Sequence, residues 1–303
     1  MPATASSRTY ATGTVFLLAT AITAVALSQE VTRREVTRTT EKELRVSLEV
    51  SFGTVAIGKG DRDKIVVTEY WRDKDEKQQL DMWYDVSNGR GDLDIELTDS
   101  KKTRKQDQSW ISKEEFRGRK LDHDDRHLTT KFTDAVPIEL KVSLGAGEGE
   151  FDLSGLKIKR LKISSGASSA DLRCDEVNAV PCDEVVIESG VSKFSASGLS
   201  NLNFRTLKFR GGVGSYKLDF GGKLLRAATA EIEVGLGAVT VYVPRDMPVR
   251  LISDESWFST LDVDDDFIRV KKSVYETEKF RESANGLTIK IESGLGSVKL
   301  RIR

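Results

Sequence analysis

The sequence predicts an all-β protein, specifically a parallel β-solenoid (β-helix-like) of about six or seven rungs with one charged loop insertion. A glycine recurs at a nearly fixed interval between alternating apolar segments, and no segment shows the periodicity of an amphipathic helix. These glycine corners are Gly53, Gly145, Gly166, Gly190, Gly212, Gly235 and Gly294. From Gly145 to Gly235, successive corners lie 21, 24, 22 and 23 residues apart. A β-sandwich is the alternative fold.

Each repeat has the same pattern around its glycine. Apolar and polar residues alternate before the corner, as in 140–144, and again after it, as in 239–243. This alternation predicts strands with one face in a core and the other in solvent. Glycine would let the chain turn sharply between them, often at positive φ, where a Cβ would clash. At about 3.3 Å per residue, one repeat traces roughly 70 Å, which is enough for one turn around a slender core.

Residues 1–28 are predicted to be a signal peptide. Arg8 supplies a positive charge, and an apolar stretch of 13 residues follows before the small residues Ala26 and Ser28. This stretch is short for a bilayer span, and small residues at those two positions suit a signal peptidase. We therefore expect a mature chain that starts at Gln29 and is exported to the periplasm or the cell surface. A retained membrane anchor is the alternative.

Three further segments follow the leader. Residues 29–43 are polar and predict an exposed tether. Residues 44–135 contain strand patterns without the regular glycine spacing, and predict an irregular β layer that caps the stack. A charged insertion at about 99–131 interrupts this layer, with ten Lys or Arg and six Asp or Glu among positions 101–131. Residues 136–303 form the glycine-corner β-repeat domain.

The spacing fails near the C-terminus, where Gly235 and Gly294 lie 59 residues apart. Two periods and a loop would fit this interval. The chain ends inside a strand pattern whose Lys299, Arg301 and Arg303 are predicted to discourage pairing at an exposed sheet edge.

Two cysteines, Cys174 and Cys182, lie eight positions apart. In an oxidising compartment they could form a disulfide that closes a loop at the end of one repeat, with a stabilisation of roughly 2–3 kcal/mol. Two buried thiols are the alternative. A metal site is disfavoured because no third and fourth ligand lies near them.

The composition argues against several classes of partner. The net charge is −1 and the charged fraction is 31%, so no general attraction to nucleic acid is expected. After the leader, no segment is long and apolar enough to span a membrane. We expect an envelope protein or a cell-surface polymer as partner, and no nucleic acid.

Three short motifs invite a functional interpretation. His123 and His127 could share a face if they lay on a helix, but the surrounding loop favours an exposed polar segment over a metal site. The acidic run at 262–266 lacks the glycine and the distant glutamate of a calcium loop, so a solvated turn is favoured. Arg90, Gly91 and Asp92 match a receptor-binding tripeptide, and a plain turn is favoured there too.

A polysaccharide-processing enzyme is the catalytic alternative, because such enzymes share the solenoid architecture and need no histidine. Clustered acids on a calcium ion and a basic proton acceptor would carry it, with Asp171, Lys193, Lys217 and Asp219 as candidates. The outward positions lack a groove of aromatic residues. We therefore predict no enzyme, no catalytic residue, no metal and no cofactor.

The ordered series of repeats resembles a known family. The segments LGAGEGEFDLSGLKIKRLKISSGASSADL, GGVGSYKLDFGG and IEVGLGAVTVYVPRDMPVRLI resemble exported toast-rack domains. The closing IESGLGSVKLRI is similar to the C-terminal domain of LiaF-like cell-envelope stress proteins. The resemblance covers roughly 160 of the 303 residues. It implies a β-helical, extracytoplasmic, adhesin-like domain without established catalytic residues.

From the residues and the resemblance together, we expect a non-catalytic exported β-solenoid of the cell envelope with a structural, adhesive or interaction role. Two alternatives stay open: a LiaF-like modulator of the envelope-stress response, and the polysaccharide-processing enzyme.

Overall fold

The structure is a computed structural model that describes residues 30–72, 78–98, 111–117, 127–253 and 259–303. These residues form strands, turns and two short 3-10 helices, and contain no α-helix. The prediction of an all-β chain is confirmed. All the strands belong to one hydrogen-bonded sheet, whereas a β-sandwich would have two.

The strands have these bounds in chain order: β1 Glu30–Thr37, β2 Glu43–Lys59, β3 Lys64–Arg72, β4 Gln79–Ser87, β5 Arg90–Thr98, β6 Ile111–Arg117, β7 His127–Phe132, β8 Ile138–Asp152, β9 Ile158–Arg173, β10 Cys182–Ser197, β11 Phe204–Asp219, β12 Ala228–Val243, β13 Val249–Ser253, β14 Ser259–Val263, β15 Ile268–Lys271, β16 Val274–Glu276 and β17 Leu287–Ile302. The 3-10 helices are Leu199–Leu202 and Glu278–Glu282.

Seven long strands pair side by side in parallel, in the order β2, β8, β9, β10, β11, β12, β17. We call them layers 1 to 7. Each is 15 to 17 residues long. Because neighbouring layers pair residue by residue, equivalent positions of successive repeats form straight columns across the sheet. Alternate columns are buried, and their apolar side chains belong to one continuous core.

The start of the stack is covered by the N-terminal cap, which comprises β1 and β3 to β7. β5 pairs with the first half of layer 1 and β7 with its second half, both in parallel. The other cap strands add antiparallel pairs: β4 on β5, β3 on β7, β1 on β3, and β6 on β1. Layer 1 is therefore a full member of the stack, and the cap lies outside it.

The far end is covered by the C-terminal cap, β13 to β16. β13 and β14 pair in parallel with the two halves of layer 7, and β16 and β15 add antiparallel pairs. The expectation that the last strand is an exposed edge is wrong. The chain builds the cap first and then returns, so β17 lies between β12 and the cap. Lys299 lies opposite Asp262 in β14, and Arg301 pairs with the same carboxylate.

Two further expectations about the N-terminal region need correction. The polar tether predicted at 29–43 contains β1, which is held by backbone pairing with β3 and β6 rather than by an apolar pattern. The insertion predicted at about 99–131 contains β6 and β7, and Leu128 and Phe132 of β7 are fully buried. The rest of that insertion and the predicted signal peptide lie outside the described residues.

Buried asparagines hold the segments that connect successive layers. The Asn178 side-chain amide donates to the carbonyl oxygens of Ile158 at 2.6 Å and Leu202 at 3.0 Å. The Asn201 amide likewise donates to the Cys174 carbonyl at 2.9 Å. These bonds satisfy backbone groups that would otherwise be buried without a partner.

Candidate functional site

The glycine corners lie in the middle of the long strands, where each strand bends. We call the resulting column the glycine column: Ser51, Gly145, Gly166, Gly190, Gly212, Gly235 and Gly294. A Cβ at Gly190 would lie 2.9 Å from the carbonyl oxygen of Gly166, and one at Gly212 would lie 2.8 Å from that of Gly190. The close approach to the backbone of the preceding layer therefore excludes side chains from this column in layers 2 to 7.

We predicted positive φ angles at the corner glycines, but the positive φ angles occur two residues later in the chain. Gly147, Gly237 and Gly296 have φ values of 124°, 133° and 143°. Gly53 belongs to this second column, because it pairs with Gly147 and not with Gly145. The assignment of Gly53 as a relative of the other corners is thus wrong by two positions. Ser51 takes the equivalent place in layer 1.

Between these two columns lies a line of apolar side chains, all exposed except the half-buried Ala146, which we call the apolar ridge: Phe52, Ala146, Ala167, Val191, Val213, Leu236 and Leu295. Its large members are exposed by 44% at Phe52, 66% at Val191, 44% at Val213, 42% at Leu236 and 49% at Leu295. Exposed apolar residues scattered singly need no explanation, but a continuous line of them marks an interaction surface.

A groove of about 750 Å³ runs beside the ridge across layers 1 to 5. Its floor is the glycine column. Its other side is an outward-facing column that we call the polar wall: Glu49, Ser143, Ser164, Glu188, Arg210, Glu233 and Glu292. On the far side of the ridge stands the outer column: Thr54, Glu148, Ser169, Lys193, Ser215, Ala238 and Ser297. The four columns together form the bend surface.

The charges of the polar wall are linked to one another and to their neighbours. Glu188 accepts from Lys162 at 3.2 Å and from the Ser164 hydroxyl at 3.0 Å, and Arg210 lies 3.6 Å away. The Lys162 hydrogen bond first, and then that of Ser164, lower the pKa of Glu188. Arg210 also donates to Glu233 at 3.2 Å. The Glu188 carboxylate is thus held ionised and paired, which does not suit it to transfer protons.

Sequence reasoning located the glycine column and missed the ridge. A signal for the ridge exists: an apolar residue directly follows each corner glycine from Gly145 to Gly294, in phase with the buried residues before it and out of phase with those after it. In a flat strand that residue would be buried on the core face. Because the strand bends there, it points outward instead.

The structure describes one of the two histidines. His127 begins β7 and contacts the Trp71 ring at a centroid distance of 5.8 Å, and burial lowers its pKa. His123 lies outside the described residues. Among the described residues, no three or more His, Cys, Asp or Glu side chains are arranged to hold a metal ion.

The acidic run at 262–266 is tied to arginines. Asp262 pairs with Arg301, and Asp266 lies 2.6 Å from Arg245. The receptor-like tripeptide begins strand β5 rather than forming a turn. Arg90 in it donates to Asp92 at 3.3 Å.

The four candidates for a polysaccharide-processing site lie on three layers. Asp171 and Lys217 belong to one outward column but are separated by Ser195 of the layer between them. Asp219 is buried and pairs with Arg303. Lys193 is exposed in the outer column.

The cysteines are free and buried, so the disulfide that their spacing allowed is not formed. Cys174 follows the end of β9 and donates to the Glu176 carbonyl at 3.3 Å. Cys182 begins β10, and its Sγ lies 3.6 Å from the Glu184 carbonyl oxygen. Each thiol thus contacts its own strand end or connecting segment. Burial raises the pKa of both thiols to about 12.

The chain matches the family described as the N-terminal domain of toast_rack (DUF2154) over residues 26–197, which is more than half of its length. The chain belongs to this family, as its repeats predicted. The match includes the N-terminal cap and layers 1 to 4, whereas the sequence resemblance was strongest from residue 140 onward.

Three solved structures are similar to the chain. A "putative cell adhesion protein" from Clostridium sporogenes is 18% identical with a TM-score of 0.44, over 90% of this chain and 99% of that one. A "putative adhesin" from Bacteroides fragilis is 11% identical with a TM-score of 0.33, over 89% and 97%. A "putative adhesin" from Parabacteroides distasonis is 10% identical with a TM-score of 0.23, also over 89% and 97%.

No curated protein matches the chain. The parts of the chain that the structure describes contain no helix with the length and hydropathy that a bilayer crossing needs.

Proposed function

We propose that the chain is an exported, non-catalytic β-solenoid of the cell envelope that acts by binding, in a structural, adhesive or interaction role. The observation that carries this proposal is the bend surface, where a groove of about 750 Å³ lies beside a continuous apolar ridge. The groove spans five layers of one hydrogen-bonded sheet, so its shape is held by backbone pairing rather than by mobile side chains.

The solenoid part of the proposal is supported by the repeat geometry. Each of the seven parallel layers is one long strand bent near its middle, and segments of five to eight residues lead from β8 to β12 through the successive layers. Parallel pairing in register at a period of 21 to 24 residues is what stacked coils produce.

The shape of the groove favours an extended partner. It is open and spans five layers, four residues of the glycine column line it, and the polar wall forms one side. Small-molecule sites are more often enclosed clefts or cavities that bury most of the ligand surface. A cell-surface polymer or an extended segment of an envelope protein would contact polar groups on one side and the apolar ridge on the other.

The lining of the groove supports a binding role rather than catalysis. It consists of serine, glycine, valine and leucine with Glu49, Glu188 and Arg210, and it contains no histidine or cysteine. A hydrolytic site needs a nucleophile next to a base, or two carboxylates kept in different protonation states. Glu188 is instead held ionised by its basic neighbours.

Binding can be tested with two matched tryptophan variants of the mature chain. Ser143→Trp places a large ring in the groove, whereas Lys141→Trp places one on the same strand and face outside the groove. The partners tested are purified sacculi or surface polysaccharide of the source organism, or a purified envelope protein. We expect the amount of Ser143→Trp that co-sediments with its partner to be at least tenfold lower than that of wild type. Lys141→Trp should bind like the wild type. Equal binding by both variants, or no binding to any of these partners, would contradict the proposal.

Export can be tested separately. Expression of the full chain in its source organism should yield an extracytoplasmic protein whose mass corresponds to a start at Gln29. A cytoplasmic protein that retains residues 1–28 would contradict export.

A further inference from the structure

We propose that the bend surface binds a second copy of this chain, with the two stacks side by side and parallel about a two-fold axis. The axis runs along the stack, midway between the glycine column and the apolar ridge. This inference rests on the proposed function, because it adds a second copy of the chain as an occupant of the same bend surface.

Shape is the first argument. In each of layers 2 to 7, the ridge residue directly follows the glycine, so the proposed axis places the ridge of one copy over the glycine column of the other. Val191 of one copy, for example, would fill the space above Gly190 of its partner. Both copies have the same spacing of about 4.8 Å between layers, so the contact repeats along the stack. Such an interface is self-complementary, as two-fold symmetry requires.

Charge is the second argument, and it selects the parallel arrangement. The same axis brings the polar wall of one copy against the outer column of the other, within the same layer. In layer 4, Glu188 then faces Lys193, which is exposed. The other charged members face neutral residues, as Arg210 faces Ser215 and Glu148 faces Ser143. No layer brings two like charges together.

An antiparallel pair lacks this match. In an antiparallel pair the two-fold axis would lie in the interface, perpendicular to the stack, at layer 4. It would place the polar wall of one copy opposite the polar wall of the other. Glu188 would then face its own copy, and Glu49 of layer 1 would face Glu292 of layer 7. Like charges in direct opposition are unfavourable, so the charge pattern disfavours this arrangement.

The expected area indicates a weak dimer. Seven layers at about 4.8 Å, with six residues of width at about 3.3 Å, give a strip of roughly 600 Å² per copy. This lies below the roughly 800 Å² per partner of a standard interface, so we expect a dissociation constant in the micromolar range. Ala146 and Ala167 are small, and the groove stays open above them in layers 2 and 3. The large ridge residues would carry the contact: Phe52 at one end, and Val191, Val213, Leu236 and Leu295 at the other.

Sedimentation equilibrium of the mature chain, up to hundreds of micromolar, tests the dimer. We expect wild type to dimerise, and Val191→Asp to weaken dimerisation at least tenfold. Val177→Asp is the matched control, because Val177 is an exposed valine in the segment between β9 and β10, away from the bend. A chain that stays monomeric at the highest concentration, or dimerisation that Val191→Asp leaves unchanged, would overturn the inference.

Oxidative crosslinking tests the orientation. In the parallel arrangement Val213→Cys lies close to its own symmetry mate, and the native thiols are buried and should not compete. In the antiparallel arrangement layer 5 faces layer 3, so only Val191→Cys in layer 4 would crosslink. We expect both variants to crosslink, and failure of Val213→Cys alone would overturn the parallel arrangement. A monomeric protein whose Ser143→Trp variant still loses its partner would refute the dimer and leave the proposed function standing.

Discussion

The two ends of the stack are closed on the same plan but with different chemistry. At each end two short parallel strands cover the halves of the outermost long strand, and antiparallel strands cover those in turn. The N-terminal cap uses six strands and the C-terminal cap four. The N-terminal cap contributes many fully buried apolar side chains, whereas the C-terminal cap contributes mainly Val249, Leu251 and Phe267.

Each cap also buries one carboxylate, and the partners of the two differ. Glu41 accepts from the Tyr84 hydroxyl at 2.7 Å and from the backbone N–H of Thr39 at 2.7 Å, both neutral donors. Glu276 accepts from Arg250 at 2.7 Å and from Arg281 at 3.1 Å. Burial alone would raise the pKa of both carboxyl groups, but their donors outweigh burial and hold both pKa values below the usual range.

This difference indicates how each end resists opening. The N-terminal cap also has ion pairs, such as Lys64 with Glu35 at 2.6 Å, but its much larger set of buried apolar side chains is not screened by salt. The C-terminal cap depends more on ion pairs whose arginines are partly exposed, 41% at Arg250 and 69% at Arg281. Exposed ion pairs are weakened by salt. We therefore expect the C-terminal cap to open first.

The largest effect should come from removing one phenylalanine in each cap. Phe132 of β7 is fully buried between β2 and β3, whereas Phe267 is 7% exposed in the turn after β14. We expect Phe132→Ala to lower the free energy of unfolding by about 3–5 kcal/mol, and Phe267→Ala by about half as much. Urea denaturation followed by circular dichroism measures both. An equal or larger loss for Phe267→Ala would show that the two caps do not differ in packing.

The next largest effect concerns the buried carboxylates. Arg250→Met should cost about 2 kcal/mol, because Glu276 keeps only Arg281 as a cation. Tyr84→Phe should cost about 1–2 kcal/mol, the loss of one hydrogen bond to a buried charged group. High salt should destabilise the wild-type C-terminal cap and have a smaller effect on Arg250→Met, which has lost one of its exposed ion pairs. Salt sensitivity that is the same in Arg250→Met and in wild type would remove the electrostatic distinction between the ends.

The repeats were predictable because each physical cause leaves a local mark in the sequence. A backbone too close for a Cβ requires glycine in layers 2 to 7, and burial on one face requires alternation. Both marks recur from Gly145 to Gly235, so the period could be read directly. The apolar ridge was missed because the alternation rule assumes an unbent strand.

The caps could not be predicted in the same way. Their strands satisfy pairings that are distant in sequence, such as β1 with β6, and leave no periodic mark. β1 is polar along most of its length, so its pattern alone indicates a loop. β17 lies inside the stack because the chain forms β13 to β16 first and then returns to pair with β12. The basic residues Lys299 and Arg301 do not indicate which strands will lie beside β17.

A smaller effect is expected from acid. The folded pKa of Glu276 lies below its unfolded value, so its stabilising contribution is complete above the unfolded pKa and is lost as pH falls through the folded pKa. The same sign holds for Glu41. Lowering the pH from neutral should therefore destabilise both caps. Glu276→Gln should flatten the pH dependence of unfolding, measured by denaturation over a series of pH values. A profile as steep as that of wild type would show that this carboxylate does not carry the effect.

The smallest effect should be on the thiols in the middle of the stack. Burial raises the pKa of Cys174 and Cys182 to about 12, so alkylation of the native protein at mildly alkaline pH should be slow, with two thiols per chain reacting after denaturation without reductant. If the C-terminal cap opens on its own, Arg250→Met should hardly change the alkylation rate of the two thiols in the folded protein without denaturant. Layers 5 to 7 separate that cap from the thiols. A rate that rises in step with the lost stability would mean that the cap and the stack open together. In that case the difference between the two ends would affect the total stability without creating a separate local opening.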